Sequence, residues 1–232
     1  RQNIIGSGNT AIGYNSMSGV MDGFDNTAVG VGSMSFGPDG SSNSAFGKNA
    51  LSTLTTGDYN TALGTGALQQ LTEGDQNIAI GRSAASFNDL GNNNIAIGAY
   101  ALQESERVEQ SDLIAIGQQA LRNNGDGATG SLEATKNIGI GYFALNNNST
   151  GWVNTAVGYN ALSSNTTGYA NTAIGAMALL RNQVGSGLVA VGDSTLFWNG
   201  ISTTDPLEAY NNTAVGSKAL RDNREGHSNT AL

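Results

Sequence analysis

The stretch Asn154-Thr155-Ala156-Val157-Gly158-Tyr159-Asn160-Ala161-Leu162 decides the fold, because versions of it recur along the whole chain. Aligned on the Ala-hydrophobic-Gly centre, the sequence contains thirteen repeat starts. Nine of the twelve intervals are 17 residues long, one is 19 and two are 24. A fixed period of this kind is typical of a solenoid. The starts are Asn9, Asn26, Asn43, Asn60, Asn77, Asn94, Leu113, Asn137, Asn154, Asn171, Leu188, Asn212 and Asn229.

Each column of the repeat predicts a structural role, counting its first residue as position 1. Position 5 is Gly in all twelve complete copies, including Gly64, Gly158 and Gly175, which indicates positive φ or a backbone approach too close for a Cβ. Position 4 is always large and apolar, and position 9 is Leu or Met except at Ala85. A second Gly recurs at position 15, as at Gly57.

Strands fit this pattern better than helices do. Two Gly in most copies, together with β-branched Thr, Val and Ile, oppose a helix and suit short strands. The columns predict a strand, a tight turn, a short second strand and a longer turn, with two large apolar side chains per copy in the core. The fold class is therefore all-β, a parallel β-solenoid of about 12–13 coils.

Composition restricts the function classes. The 232 residues are 12% charged and 6% aromatic and include 33 Gly, which favours a thin, turn-rich stack over a globular enzyme. The net charge of −8 disfavours nucleic acid and anionic membranes as partners. No cysteine is present, and no run of 18 apolar residues predicts insertion into a membrane. Because the chain starts at Arg1 and stops within a repeat at Leu232, residues 1–232 are interpreted as one repeat domain excerpted from a longer fibre.

Three insertions interrupt the period, near residues 103–112, 122–136 and 197–211. The first is acidic and is interpreted as a solvated loop or a partner-binding loop. The two longer insertions follow the only copies that start with Leu instead of Asn, at Leu113 and Leu188. This coincidence suggests that each loop folds back over its own coil and covers the leucine.

The column of leading asparagines, which includes Asn60, Asn154 and Asn171, predicts side-chain amides hydrogen-bonded from coil to coil. The adjacent Thr column predicts a parallel file of hydroxyl groups. Such a file also fits an ice-binding face, although the changes to Ile78 and Ile95 would interrupt a regular lattice. The core of each coil is thin, which favours burial of a further face against identical chains in a closed, parallel bundle.

The unit at 154–162 and the connection Asn-Thr-Thr-Gly-Tyr at 165–169 resemble the head repeats of YadA-type trimeric autotransporter adhesins. They resemble still more closely the repeat arrays of bacterial and phage tail-fibre-domain proteins. The resemblance covers essentially the whole chain, although the period here is longer than in the adhesin heads. It implies a left-handed parallel β-roll and a homotrimer exposed on a cell surface or a phage-like tail. The implied function is adhesion or host recognition, in which loops contact a surface glycan or a protein receptor.

Signals of catalysis are weak. The only histidine is His227, and no phosphate-binding loop or calcium-loop pattern is present. The chain is therefore expected to be no enzyme and to need no cofactor and no metal. The alternative of a glycan-degrading fibre would require paired acids from neighbouring chains.

Aromatic residues on turns are the candidate receptor contacts. Aromatic rings stack on sugars and anchor protein contacts, and the acidic residues Asp205 and Glu208 would add acceptors. The same aromatic side chains could instead pin a loop to the roll or fill the groove between chains. The candidates are Trp152, Tyr169, Phe197, Trp198 and Tyr210.

Overall fold

In each copy of the repeat, the three residues after the leading position form a short strand. The computed structural model describes residues 6–19, 22–103, 110–130, 133–200 and 209–232. The chain divides into two compact units, Arg1–Leu113 and Ile114–Leu232. The first unit contains β1 (Thr10–Ile12), β2 (Thr27–Val29), β3 (Ser44–Phe46), β4 (Thr61–Leu63), β5 (Ile78–Ile80) and β6 (Ile95–Ile97). The second contains β7 (Ile114–Ile116), β8 (Ile138–Ile140), β9 (Thr155–Val157), β10 (Thr172–Ile174), β11 (Val189–Val191), β12 (Thr213–Val215) and β13 (Thr230–Ala231).

Within each unit, every strand pairs in parallel with the next strand along the chain. The register matches like positions of the repeat, so that Ala28 lies opposite Ala45 and Thr172 lies opposite Val189. One copy is therefore one coil, and successive coils stack through backbone hydrogen bonds such as the 2.8 Å bond that Thr155 N donates to Asn171 O. The prediction of an all-β parallel solenoid with a 17-residue repeat is confirmed in both units. The prediction of a single repeat domain stays a prediction.

The prediction of a second short strand in each copy is wrong. Positions 6 to 11 form turns, in which position 7 and position 9 adopt positive φ. Position 9 is never Gly, and position 7 is Gly only at Gly32 and Gly66; in β9's coil these residues are Asn160 (54°) and Leu162 (52°). Their N–H groups still bond between coils, because Asn160 N donates to Tyr142 O and Leu162 N donates to Ala178 O, both at 2.9 Å. Stacking of identical turns thus replaces the expected strand pairing.

The core is narrower than predicted. Side chains alternate across a strand, so position 3 points inward while positions 2 and 4 point outward. In β9's coil, Ala156, Ala161 and Leu162 are fully buried, whereas Val157 at position 4 is half-buried on the outside. In this coil Leu162 at position 9 is therefore the one large apolar side chain that is fully buried, and not one of two as the sequence predicted. The position 4 side chain lies on the outer surface of the sheet. Some other coils bury a second large side chain, at position 12 (Leu54, Leu71) or at position 1 (Leu113, Leu188).

The Gly at position 5 has both predicted properties. Gly158 has a φ of 136°, and a Cβ on it would lie 2.5 Å from the carbonyl oxygen of Gly175 in the next coil. Gly175 itself has a φ of 130° and faces Gly192 in the same way, and Gly64 has a φ of 137° and faces Gly81. The close approach of successive coils at this column fixes the identity of the residue.

The two leucines in the Asn column are fully buried, as the hypothesis of a covering loop requires. The asparagines of that column from Asn26 to Asn212 are buried as well, so burial at this position does not by itself require a covering loop. Residues 104–109, 131–132 and 201–208 of the insertions lie outside the described residues, as do the predicted acceptors Asp205 and Glu208.

Candidate functional site: the sheet face and three aromatic pairs

An extended surface available for contact is the outer side of the sheet in each unit, here called the sheet face and defined by positions 2 and 4 of every strand. Position 4 remains open to solvent, with Leu63 48% and Ile174 41% exposed. Position 2 lies beside it and holds Thr or Ser in some coils and Ile or Val in others. The position 4 residues are Ile12, Val29, Phe46, Leu63, Ile80, Ile97, Ile116, Ile140, Val157, Ile174, Val191 and Val215.

The position 2 side chains form the predicted file in part. Thr10, Thr27, Ser44 and Thr61 lie in register on β1 to β4, and Thr155 and Thr172 lie in register on β9 and β10. Ile78 and Ile95 continue the same column on β5 and β6. Hydroxyl groups therefore occur in short runs, whereas the apolar file at position 4 has no polar member.

The leading asparagines hold neighbouring coils together from inside. Asn154 Oδ1 accepts the backbone N–H of Asn171 at 3.0 Å, and its Nδ2 donates to Gly168 O at 2.8 Å. Asn60 makes the equivalent contacts with Asn77 N (2.9 Å) and Gly74 O (2.7 Å). Side-chain amides also bond directly from coil to coil in the first unit, as the 3.1 Å bond from Asn60 Nδ2 to Asn43 Oδ1 shows. The hydrogen bonding predicted for this column is present, and it is buried.

A second asparagine ladder, which the sequence analysis did not detect, lies at position 12 of the second unit. Asn165 Nδ2 donates to Asn148 Oδ1 at 2.7 Å and to Gly168 O at 2.8 Å. In the first unit the same position holds the buried leucines Leu54 and Leu71 in two coils and a single buried asparagine, Asn88, in the next. Tabulation of position 12 would have revealed the ladder, because its members recur as Asn124, Asn148, Asn165, Asn182, Asn199 and Asn223.

The 24-residue coils use this second ladder where the leading asparagine is missing. Asn124 Nδ2 donates to Ala134 O at 2.7 Å, and Asn199 Nδ2 donates to Ala209 O at 2.9 Å. These carbonyl groups come three residues before the next repeat start, at the position where Gly168 accepts from Asn154. The buried amide contact is thus kept in coils that begin with Leu.

The five aromatic candidates belong to three separate pairs. Trp152 and Tyr169, which are 39% and 44% exposed, stack in adjacent coils with ring centroids 4.4 Å apart and planes 2° from parallel. Tyr210 stacks on His227 at 4.8 Å. Within the described part of the chain, no ring contact joins one pair to another. Because Trp152 and Tyr169 cover each other with one face each, stacking on a ligand could use only the other face of either ring.

The third pair, Phe197 and Trp198, is surrounded by arginine. The two rings meet edge to face at 5.0 Å. The guanidinium carbons of Arg181 and Arg224 lie 5.5 Å and 6.0 Å from the centroid of Trp198, and that of Arg221 lies 5.3 Å from the centroid of Phe197. The contacts are cation–π interactions. The sequence predicted the two rings as receptor contacts but did not indicate the arginines.

One carboxylate has a perturbed acidity. Glu133 accepts the backbone N–H groups of Thr129 (2.7 Å) and Gly130 (3.1 Å), and these bonds lower the pKa of its side chain. Glu133 is half-buried and caps its own loop, so the lowered pKa indicates a local structural contact. Among the residues that the structure describes, no group of three or more His, Cys, Asp or Glu side chains could hold a metal ion.

The described residues contain no helix long and apolar enough to cross a membrane. Comparison with known proteins adds no relative, since no family model, no curated protein and no solved structure matches this chain. The fold places the chain in the class of parallel β-solenoid repeat proteins.

Proposed function

We propose that this chain is a structural and adhesive segment of an extracellular fibre, either a surface adhesin or a phage-like tail fibre. In the proposed assembly, three copies of a left-handed coil stack pack side by side, and turns and loops on the outside contact a receptor or glycan. The observation that carries the proposal is the sheet face of each unit, with its apolar file at position 4.

The sheet face exposes more apolar side chains than a sheet surface that contacts only water would require. A contiguous exposed apolar patch usually marks an interaction site. Members such as Phe46, Leu63 and Ile174 are each more than 40% exposed, and every described coil adds another apolar side chain in register. A partner able to match that spacing along the stack is another copy of the same chain in parallel, and three copies around a common axis form a closed assembly.

The small apolar core of each coil also favours packing of copies through the sheet face. Each described coil buries small side chains and at most two large apolar ones, while the asparagine ladders supply buried hydrogen bonds. Apolar burial contributes roughly 25 cal/mol per Å², so covering position 4 in every coil would add substantially to a thin core. Packing of copies through the sheet face would therefore stabilise the segment.

Light scattering of the purified chain tests the proposal. We expect a mass three times the 23.7 kDa of one chain. A double variant, Ile140→Glu and Ile174→Glu, places charges on the sheet face and should yield monomers. The matched control is Val153→Glu, which alters an exposed apolar side chain outside the sheet face. A wild-type monomer, or a control that dissociates as readily as the double variant, would contradict the trimer.

Ice binding remains the second candidate, because Thr10, Thr27, Ser44 and Thr61 align hydroxyl groups on the same face. The two uses of the face exclude each other, since packing between copies would cover the file. Thermal hysteresis shown by a monomeric chain would favour ice binding. A glycan-degrading fibre is the remaining alternative, and release of reducing sugar from a surface polysaccharide would favour it.

A further inference from the structure

Three consecutive coils of the second unit bring together three arginines and two aromatic rings. We infer that Arg181, Trp198 and Arg224, supported by Phe197 and Arg221, bind an acidic saccharide, a sugar chain that carries carboxylate or sulfate groups. These five residues are called the arginine–aromatic patch. The inference rests on the proposed adhesive function and gives the ligand class for one of its surfaces.

The patch consists of residues of different types that lie at equivalent positions of successive coils. Arg181 and Trp198 both occupy position 11 of successive coils, and Phe197 and Arg221 both occupy position 10. Backbone bonds fix these neighbours, since Arg181 N donates to Phe197 O at 3.0 Å and Trp198 N donates to Arg221 O at 2.9 Å. The side chains are thus held on a rigid stack and not on a separate loop.

The guanidinium groups have spare hydrogen-bonding capacity. Within the described residues, the side chains of Arg181 and Arg224 have no carboxylate or carbonyl partner. Arg221 has only an exposed contact with Asp222 at 3.3 Å, and exposed ion pairs of this kind contribute little. A guanidinium stacked on a ring keeps its N–H donors at the edge, where they can grip a carboxylate or sulfate in a two-pronged geometry.

The arginines of the patch are basic residues in an acidic chain. The chain carries a net charge of −8, yet Arg181 is the only charged residue in the coil 171–187. The overall charge opposes the approach of a polyanion, and this repulsion is largely screened beyond about 10 Å at 0.1 M salt. Affinity should therefore depend on the arginine–aromatic patch itself and not on a general positive surface.

The spacing along the stack favours a linear saccharide over a compact anion. Coils that hydrogen-bond through parallel strands lie about 4.8 Å apart, so the coil of Arg181 and that of Arg221 and Arg224 are separated by about 10 Å. This separation is comparable to the length of two linked pyranose rings. An acidic polysaccharide lying along the stack can present one anionic group to each end of the patch and an apolar sugar face to Trp198 or Phe197.

Binding of the full 232-residue chain to immobilised polysaccharides tests the inference. The probes are polygalacturonate for carboxylates, dextran sulfate for sulfate esters, dextran as the neutral chain and poly-glutamate as an acidic peptide. We expect retention by one or both anionic polysaccharides and weaker retention by dextran and poly-glutamate. Binding to poly-glutamate at least as tight as to the polysaccharides would overturn the saccharide assignment, and so would the absence of binding to either anionic polysaccharide.

The decisive variant is Arg181→Gln combined with Arg224→Gln, which keeps side-chain length and should weaken binding about tenfold or more. Arg82→Gln is the matched control, because Arg82 makes the same kind of contact with Tyr100 (4.5 Å) in the first unit. If the double variant melts earlier than wild type, Trp198→Phe provides a second test, with weaker binding expected. Equal losses in the Arg82 control, or unchanged binding in the patch variants, would overturn the inference.

Light scattering on the same samples separates this inference from the proposed assembly. A monomer that binds the acidic polysaccharide would contradict the trimer and leave the arginine–aromatic patch standing. A trimer that binds none of the anionic polysaccharides would contradict the patch alone.

Discussion

Asn154 and Asn165 lie eleven residues apart in one coil, and their side-chain amides donate to the same carbonyl oxygen, that of Gly168, at 2.8 Å each. Both amides are buried. A carbonyl oxygen has two lone pairs, and here both are used by side chains. This arrangement lets the second unit replace apolar packing by buried hydrogen bonds.

Removal of one ladder amide should destabilise the second unit. In Asn154→Ala, the backbone N–H of Asn171 loses its acceptor inside the stack, and leaving a buried donor unsatisfied costs about 1–3 kcal/mol. Urea unfolding followed by circular dichroism measures the loss. The control is Ser164→Ala, because Ser164 is partly exposed and its side chain makes no hydrogen bond among the described residues. Equal effects of the two substitutions would show that the ladder does not stabilise the coil.

A methyl group at position 5 should disrupt the stack. Gly158→Ala would place a Cβ 2.5 Å from the backbone of the next coil and would also strain a φ of 136°. Gly127→Ala is the matched control, because its φ of 84° is also positive but no atom lies within 4 Å of the added Cβ. We expect a cost of about 1–3 kcal/mol for the control, from backbone strain, and a larger one for Gly158→Ala. Thermal unfolding of both variants checks the order, and the reverse order would be inconsistent with close coil packing.

Truncation of Leu162 at position 9 should be costly, since it is the one large apolar side chain that its coil buries fully. Leu162 is fully buried, and Leu→Ala changes in cores cost about 2–5 kcal/mol. Val153→Ala removes an exposed apolar side chain from the preceding coil and should not lower stability, because the φ of Val153 is 55° and a β-branched side chain is unfavourable there. Denaturant midpoints of the two variants provide the comparison. A small effect of Leu162→Ala would mean that the stack closes around the missing volume.

Acid should release the loop that Glu133 caps. Because the pKa of Glu133 is lowered in the folded chain, its contact contributes at pH values above the pKa of the unfolded chain. The contribution is lost as the pH falls through the lowered folded pKa. Amide exchange at Thr129 and Gly130, measured by NMR and corrected for intrinsic rates, should show protection that disappears in acid. In Glu133→Gln that pH dependence should be absent, and protection unaffected by acid in the wild-type chain would contradict the assignment.

Much of this architecture follows from the period of the sequence. The Ala-hydrophobic-Gly centre predicts a strand before a Gly that tolerates no Cβ, and Gly158 satisfies both conditions. Stacking at one position also explains why Trp152 and Tyr169, 17 residues apart, form a ring pair. The outward direction of position 4 was predictable in principle, because strand alternation places it opposite the buried Ala at position 3.

Other features could not be deduced from local preferences. A left-handed backbone at Leu162 costs an L-residue about 1–2 kcal/mol. Contacts between coils offset this cost, namely the bond from Leu162 N to Ala178 O and the burial of the side chain. Residue preferences therefore favoured a strand where the chain makes a turn. The arginine–aromatic patch was missed for a different reason, since Arg181 lies in an earlier coil and Arg221 and Arg224 lie in a later one than the two rings.

Cross-linking through the sheet face is the most direct test of the central claim that copies of this chain pack through that face. The chain has no cysteine, so Ile174→Cys introduces a single thiol on the sheet face and Ser164→Cys introduces one elsewhere on the same unit. With a short bis-maleimide, we predict covalent dimers from Ile174→Cys, because two of three neighbouring thiols can be joined, and none from Ser164→Cys. The contradicting result is an Ile174→Cys variant that stays monomeric and reacts with a bulky maleimide as fast as the Ser164→Cys variant does. The sheet faces of neighbouring copies would then not be in contact, and the proposed fibre assembly would be wrong.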